Sequence, residues 1–257
     1  MTKDDNGRQR YIIDAADACL NVLRFVSDNP GHSLSEIHVA LGFNKSRTLR
    51  LLATLEAHNL VMTDGNDRWS LGFLALLIGN AANNQLEVVR LIQPHLDALR
   101  DATGETAQFR LLSKLQTLCI ARSETRHAVR VHTEIGRPRP LYVGSSKAAL
   151  AFADEALLQE VIDHGLQEFT DRTLTSEQLR EQLRAIRAQG YSSSRGEALV
   201  GALALGAPVF GLDGKVTGCL SVLGPEERLL PQEAEIAKRL MATAARVSQL
   251  FGYRATS

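Results

Sequence analysis

Cysteine is scarce in this chain: Cys19, Cys119 and Cys219 stand far apart, are odd in number and fall in no CxxC or His-paired spacing. That excludes a disulfide scaffold and a zinc site, and structural thiols in a reducing compartment are expected. An apolar leader is missing too, since MTKDDNGRQR is polar throughout, so a cytoplasmic chain is expected. No long hydrophobic run is present. The longest nearly uncharged stretch, ALVGALALGAPVFGL at 198–212, falls short of the roughly 20 residues of a membrane helix and is broken by three glycines and Pro208. Net charge is also absent, with 29 basic against 29 acidic residues. Binding to a polyanion must therefore come from a local patch and not from a field over the whole protein.

Catalytic constellations are lacking as well. Ser146 and Lys147 are adjacent, which on a helix separates them by about 100°, and no SxxK spacing occurs. His127, His132 and His164 have no HxxxH or HExxH partner, and no glycine-rich loop sits in a βαβ unit. No metal or cofactor is called for. What remains is 257 residues of ordinary globular composition, 44% hydrophobic and 23% charged, enough for one large or two modest domains.

Residues 14–27 place Ala16, Leu20, Leu23 and Val26 at helical spacing, with Asp14 as a candidate N-cap and Asn-Pro-Gly at 29–31 ending the helix. In SLSEIHVALG either Ser33 or Ser35 can cap, Glu36 can return a capping-box bond, and Gly42 suits the left-handed position after a short second helix. Asn44 then caps a third helix running to about His58. Its face of Thr48, Leu51, Leu52 and Leu55 is apolar, while Ser46, Arg47, Arg50 and Thr54 lie opposite. DGND is a hairpin turn between VMT and RWSL. Three helices followed by a hairpin predict a winged helix-turn-helix over residues 1–72.

The helical pattern resumes from Phe73 to about Ala102, with breaks expected near Asn83–Asn84 and near Pro94, giving a linker helix over 73–84 and then the first helix of a second domain, 85–257. That half mixes strands at TAQFRLLS, TLCIARS and VRVHTEI with helices at about 145–164 and 176–189, a glycine-rich hairpin over 199–223 and a final helix from Pro231 to about Phe251. The class is α+β.

Taken together, NKSRTLRLLATLEAHNLV, the wing ending RWSLG, GRPRPLY followed by SKAALAF, RAQGYSSSRGE, GAPVF and GKVTGCLSVLGPEERL resemble the IclR family of bacterial transcriptional regulators over nearly the whole chain. The resemblance implies an N-terminal winged helix, a linker helix that dimerises, and a GAF-like C-terminal domain that binds a small organic or aromatic acid. It further implies a regulator, by family habit a repressor, that acts as a homodimer or homotetramer on a palindromic double-stranded DNA operator.

On that reading the third helix enters the major groove. Asn44 and Lys45 meet phosphate, Arg47 and Arg50 face the bases, and Ser46 and Thr48 serve phosphate or a thymine methyl, Thr48 being equally suited to the core. Ser35 on the second helix is a further DNA contact, and Arg68 on the wing is expected to meet the backbone or the minor groove. Trp69 suits the core under the wing.

In the second domain, strand alternation puts Ala202, Ala204, Gly206 and Pro208 on one face and, on the partner strand, Thr217, Cys219, Ser221 and Leu223 on another. Such a face leaves room for a ligand or for a tightly packed helix. The resemblance assigns Ala204, Ser221 and Leu223 to the effector pocket and the amides of Gly144, Ser145 and Ser146 to its carboxylate. Ser194 and Arg195 stand where many relatives are acidic. Arg195 is expected to clamp an acid group or, alternatively, to pair with Glu197 or lie in solvent. Two competing functions, an enzyme built on the C-terminal pocket and a non-specific architectural DNA-binding protein, lack respectively a catalytic constellation and a basic surface.

Overall fold

The computed structural model describes residues 12–64, 66–85 and 87–254. The backbone divides into two compact units, 1–86 and 87–257.

In the first unit α1 (Asp14–Asp28) buries Ala18, Val22 and Val26. Its N-cap is Ile13, with no side-chain cap. Asp14 is instead the first helical residue, where its charge favours the positive end of the helix dipole. A two-residue strand, β1 (His32–Ser33), leads into α2 (Leu34–Leu41). Ser33 is the cap, and it exchanges both capping-box bonds with Glu36; Gly42 takes the left-handed conformation that ends the helix. Next, α3 (Lys45–Ala57) starts at Asn44, whose side chain accepts from the Arg47 amide at 2.7 Å. The hairpin β2 (Val61–Thr63) and β3 (Arg68–Leu71) follows, and Asp64 secures its turn by accepting from the amides of Asn66 and Arg68. The sheet order is β1-β3-β2. Val22, Val26, Ile37, Leu52, Leu55, Val61 and Trp69 form the core, so the helices and wing share one apolar centre. The helix α4 (Phe73–Gln85) closes the unit.

The second unit begins with α5 (Glu87–Thr103). This helix runs through Pro94 without a break. Proline removes only the bond to the Arg90 carbonyl, and Arg90 lies on the exposed face. A six-stranded antiparallel sheet follows in the order β6-β5-β4-β9-β8-β7, made of β4 (Thr106–Ser113), β5 (Gln116–Ser123), β6 (Pro138–Pro140), β7 (Ser192–Arg195), β8 (Ala202–Phe210) and β9 (Val216–Pro225). The alternating VRVHTEI segment is no strand. The place beside β5 is taken by β6, and 124–137 crosses as a loop tied down by Thr133 donating to Gln108 at 2.7 Å.

One sheet face, with Ala107, Phe109, Leu203, Leu205 and Leu220, packs on α5 and on α10 (Glu233–Leu250), which follows a short α9 (Glu226–Leu229). The opposite face meets α6 (Lys147–Ala151), α7 (Glu155–Asp163) and α8 (Ser176–Gln189). Residues 145–164 thus form two helices, because Asp154 caps α7 by accepting from Leu157 N at 2.9 Å. A tight turn over Gly144–Ser146 precedes α6. Gly206 lets that turn sit against the sheet, since a Cβ there would lie 2.5 Å from the Ser145 carbonyl oxygen.

Candidate functional site

Two places in the molecule gather polar chemistry that the cores do not consume. The first is the outward side of α3. Lys45, Ser46, Arg47 and Arg50 are exposed, and no acid lies within ion-pair distance of these three cations among the described residues. Arg47 stacks over the Phe43 ring at 5.0 Å, which restrains its guanidinium at the start of the helix. Thr48 is fully buried and its hydroxyl donates to the Asn44 carbonyl at 3.1 Å. It belongs to the core side and is withdrawn from the outward face. Ser35 is exposed on α2. Arg68 is partly committed, bonding Glu36 at 2.8 Å and the Gly31 carbonyl at 3.3 Å. Ser33's two bonds, first, and then Arg68's charge hold the Glu36 carboxyl below its ordinary range. Trp69 lies in the core, 6% exposed.

The second place is a cavity of about 350 Å³ on the sheet face opposite α5 and α10. On β4 the alternation that sends Ala107 and Phe109 to the apolar core sends Gln108 and Arg110 to the cavity. Arg110 is only 3% exposed. Its Nε donates to Thr117 Oγ1 at 2.9 Å, and its Nη2 donates to the carbonyls of Thr117 and Arg137 at 2.9 and 2.8 Å. Burial, reinforced by the charge of Arg137, holds its pKa below the usual value, yet a guanidinium stays protonated in a protein. Arg137 and Arg139, flanking Pro138, line the same space. For Arg139 too the pKa is lowered, by burial first and then by the two neighbouring arginines.

Of the expected pocket residues, Gly144, Ser145, Ser194, Ala204 and Leu223 line this cavity. Ala204 sits opposite Leu223 in the β8–β9 register and opposite Ser194 in the β7–β8 register. Ser221 shares their sheet face behind the lining, its buried hydroxyl without a partner among the described residues. Ser146 is buried and bonds Thr117 Oγ1 at 2.7 Å. Arg195 is a correction: its position on β7 is outward, and its Nη2 pairs with Glu233 at 2.6 Å. It is not among the residues that line the cavity, it is half-exposed to solvent as the alternative reading allowed, and its partner is not Glu197. The acid that does reach the lining is Glu197, held by Lys147 Nζ, which also donates to Gln182 at 2.6 Å. Burial pulls the Lys147 pKa down against the opposing pull of Glu197. The carboxylate's second oxygen, Oε2, is buried without a partner among the described residues.

The description "IclR helix-turn-helix domain" matches residues 15–65, and "Bacterial transcriptional regulator IclR C-terminal" matches residues 80–249. The chain belongs to the IclR family. It is 32% identical over 238 residues to the HTH-type transcriptional regulator BhcR of Paracoccus denitrificans, covering 91% of this chain and 85% of that protein. It is 27% identical over 240 residues to the HTH-type transcriptional repressor AllR of Escherichia coli, covering 91% and 89%. The crystal structure of an IclR regulator from Alicyclobacillus acidocaldarius superposes with a TM-score of 0.84 at 29% identity, over 95% of this chain and all of that one. This IclR-family protein is therefore a DNA-binding transcriptional regulator. No helix among the described residues is long and apolar enough to cross a membrane.

Two signals in the sequence point to these cavity arginines. Gln108 and Arg110 alternate with Ala107 and Phe109 in TAQFRLLS, which by itself sets a guanidinium on the face opposite the core. Arg137 and Arg139 stand within GRPRPLY, where two prolines hold the chain extended.

Proposed function

We propose that this regulator represses transcription as a homodimer, or as a tetramer, on an operator of paired half-sites, and that a small carboxylic acid in the cavity of residues 87–257 controls its DNA affinity. The observation that carries the effector half is Arg110: a buried cation in a cavity, with hydrogen bonds to neutral groups and no acid of its own among the described residues. A buried charge without a counter-charge is costly, and a bound carboxylate supplies one. Gly144 and Ser145 offer polar contacts beside it, while Ala204 and Leu223 give the apolar wall.

The DNA half rests on α3. Lys45 and Asn44 reach phosphate, Ser46 supports them, Arg47 and Arg50 read base edges, and Ser35 adds a backbone contact from α2. Arg68 joins them by exchanging Glu36 for a phosphate. So few contacts per monomer call for two half-sites. Phe73, Leu76 and Leu77 are exposed at i, i+3, i+4 spacing on α4, a face suited to burial against a second copy.

An effector acts here only through unequal affinity for the DNA-binding and DNA-free arrangements. The test is a gel shift on the chain's own upstream region with and without organic acids. The reading expects one footprint of paired half-sites, released by an acid. A footprint that no acid alters would sink the effector half, and binding without sequence preference would sink the operator half.

A further inference from the structure

The charges around the cavity do not balance, and the imbalance specifies the ligand further. Three arginines line it, Arg110, Arg137 and Arg139. Among the described residues the lining contains one acid, Glu197, which is already committed to Lys147. Glu134 lies just outside, bonded to His132 at 3.0 Å, and its carboxylate feels Arg137. None of the three has an acid within ion-pair distance among the described residues, but Arg137 is exposed to water, which leaves buried Arg110 and half-buried Arg139 as the charges that solvent does not compensate.

The two come from different strands. Arg110 is on β4 and Arg139 on β6, with β5 between them, so their backbones are separated by roughly 10 Å from strand spacing alone. Thr117 on β5 sits opposite Arg139 in the register while its hydroxyl accepts from Arg110. Two guanidiniums without acids call for two negative charges, and a single carboxylate supplies only one. Across the cavity, Ala202, Ala204 and Leu223 present an apolar wall that suits a hydrocarbon spacer.

We infer that the cavity takes a small dicarboxylate, one carboxylate held by Arg110 and the other by Arg139. This rests on the acid-effector reading above and narrows it. The experiment is calorimetry and thermal shift on the full chain with succinate, glutarate, adipate and terephthalate, each against its monocarboxylate of equal length (butyrate, valerate, hexanoate, 4-methylbenzoate), and with phenyl phosphate.

At least one dicarboxylate should bind about tenfold or more tightly than its matched monocarboxylate. In Arg139→Gln, a substitution at a half-buried position, that advantage should fall to about threefold or less with monocarboxylate affinity nearly unchanged. Equal affinities in the wild-type protein, an undiminished advantage in a folded Arg139→Gln variant, or phenyl phosphate outbinding every dicarboxylate would each overturn the two-carboxylate assignment while leaving an acid effector standing. If no acid of either kind raises the melting temperature, the acid-effector reading itself fails and takes this inference with it.

Discussion

Thr117 holds Arg110 twice, through its hydroxyl at 2.9 Å from Nε and its carbonyl at 2.9 Å from Nη2, and the same hydroxyl meets Ser146 at 2.7 Å. A single threonine thereby fixes the cavity's deepest cation and ties it to the turn that carries Gly144 and Ser145. Thr117→Val keeps the shape and removes the hydroxyl. It should cost about 1 to 3 kcal/mol of stability through the unpaired Arg110 and Ser146 groups, and weaken acid binding about three- to tenfold. Thr117→Ser should restore both. Urea melts and calorimetry read the two effects, and acid affinity unchanged in the valine variant would mean that Arg110 needs no anchoring.

The Lys147–Glu197 pair is fully inside the protein, with side-chain exposures of 0% and 5%. Breaking a buried pair from one side strands a charge, so Glu197→Gln should lose about 3 to 5 kcal/mol. Replacing both partners by apolar residues, Lys147→Met with Glu197→Leu, should recover most of that loss. Denaturant midpoints of the single and double variants check it. If the single variant is as stable as the wild-type protein, the charge is compensated elsewhere.

How far the sequence could be read follows from where each element takes its order. The Asn44 cap, the Ser33 capping box and the β8–β9 alternation are local patterns, and each appears in the structure where its pattern lies. Elements whose identity depends on partners were not legible. VRVHTEI has strand periodicity, but the edge it would occupy is filled by Pro138–Pro140. β1 is two residues long, too short to carry a period. Arg195 and Arg110 fall on opposite sheet faces, and a one-residue step in register decides which face a side chain takes. The break before α7 was visible in principle, since Asp154 followed by Glu155 is an N-terminal signal.

That difference in register makes a control. Arg195 is about half-exposed and paired with Glu233, and exposed ion pairs contribute about 0 to 1 kcal/mol. Arg195→Ala should bind the effector acid with unchanged affinity in calorimetry. A loss of about tenfold or more would place Arg195 in the binding site after all, contrary to its position in the fold.

Asp97 fastens α5 to β5, accepting from Ser123 Oγ at 2.6 Å and from Gln93 at 3.1 Å. The Ser123 bond above all holds its carboxyl below the ordinary range. A carboxylate depressed in the folded state contributes stability that is complete above its unfolded pKa, about 4, and fades as pH falls through the lower folded value. Melting temperature should therefore decline on acidification below about pH 4 less steeply in Asp97→Asn than in the wild-type protein. Parallel melting curves across that range would show that Asp97 is not among the groups responsible.

On α3 the cations divide by their place on the helix, and the division predicts two kinds of defect. Lys45 is the first residue of the helix, beside the Asn44 cap, where phosphate is met. Arg50 lies more than a turn further along the exposed side, and its side chain has no acid partner among the described residues. Lys45→Ala should weaken binding to operator and to unrelated DNA alike and lower the salt slope by about one. Arg50→Ala should cost about 1 to 3 kcal/mol on the operator and relax the base preference at one position per half-site, with little change on unrelated sequence. Thr48→Val, on the buried side, should leave the footprint intact and act through the start of the helix instead. Fluorescence anisotropy over a salt series with operator and scrambled duplexes separates these outcomes. If Arg50→Ala weakens both duplexes equally, Arg50 is a phosphate contact, and base reading on this helix passes to Arg47.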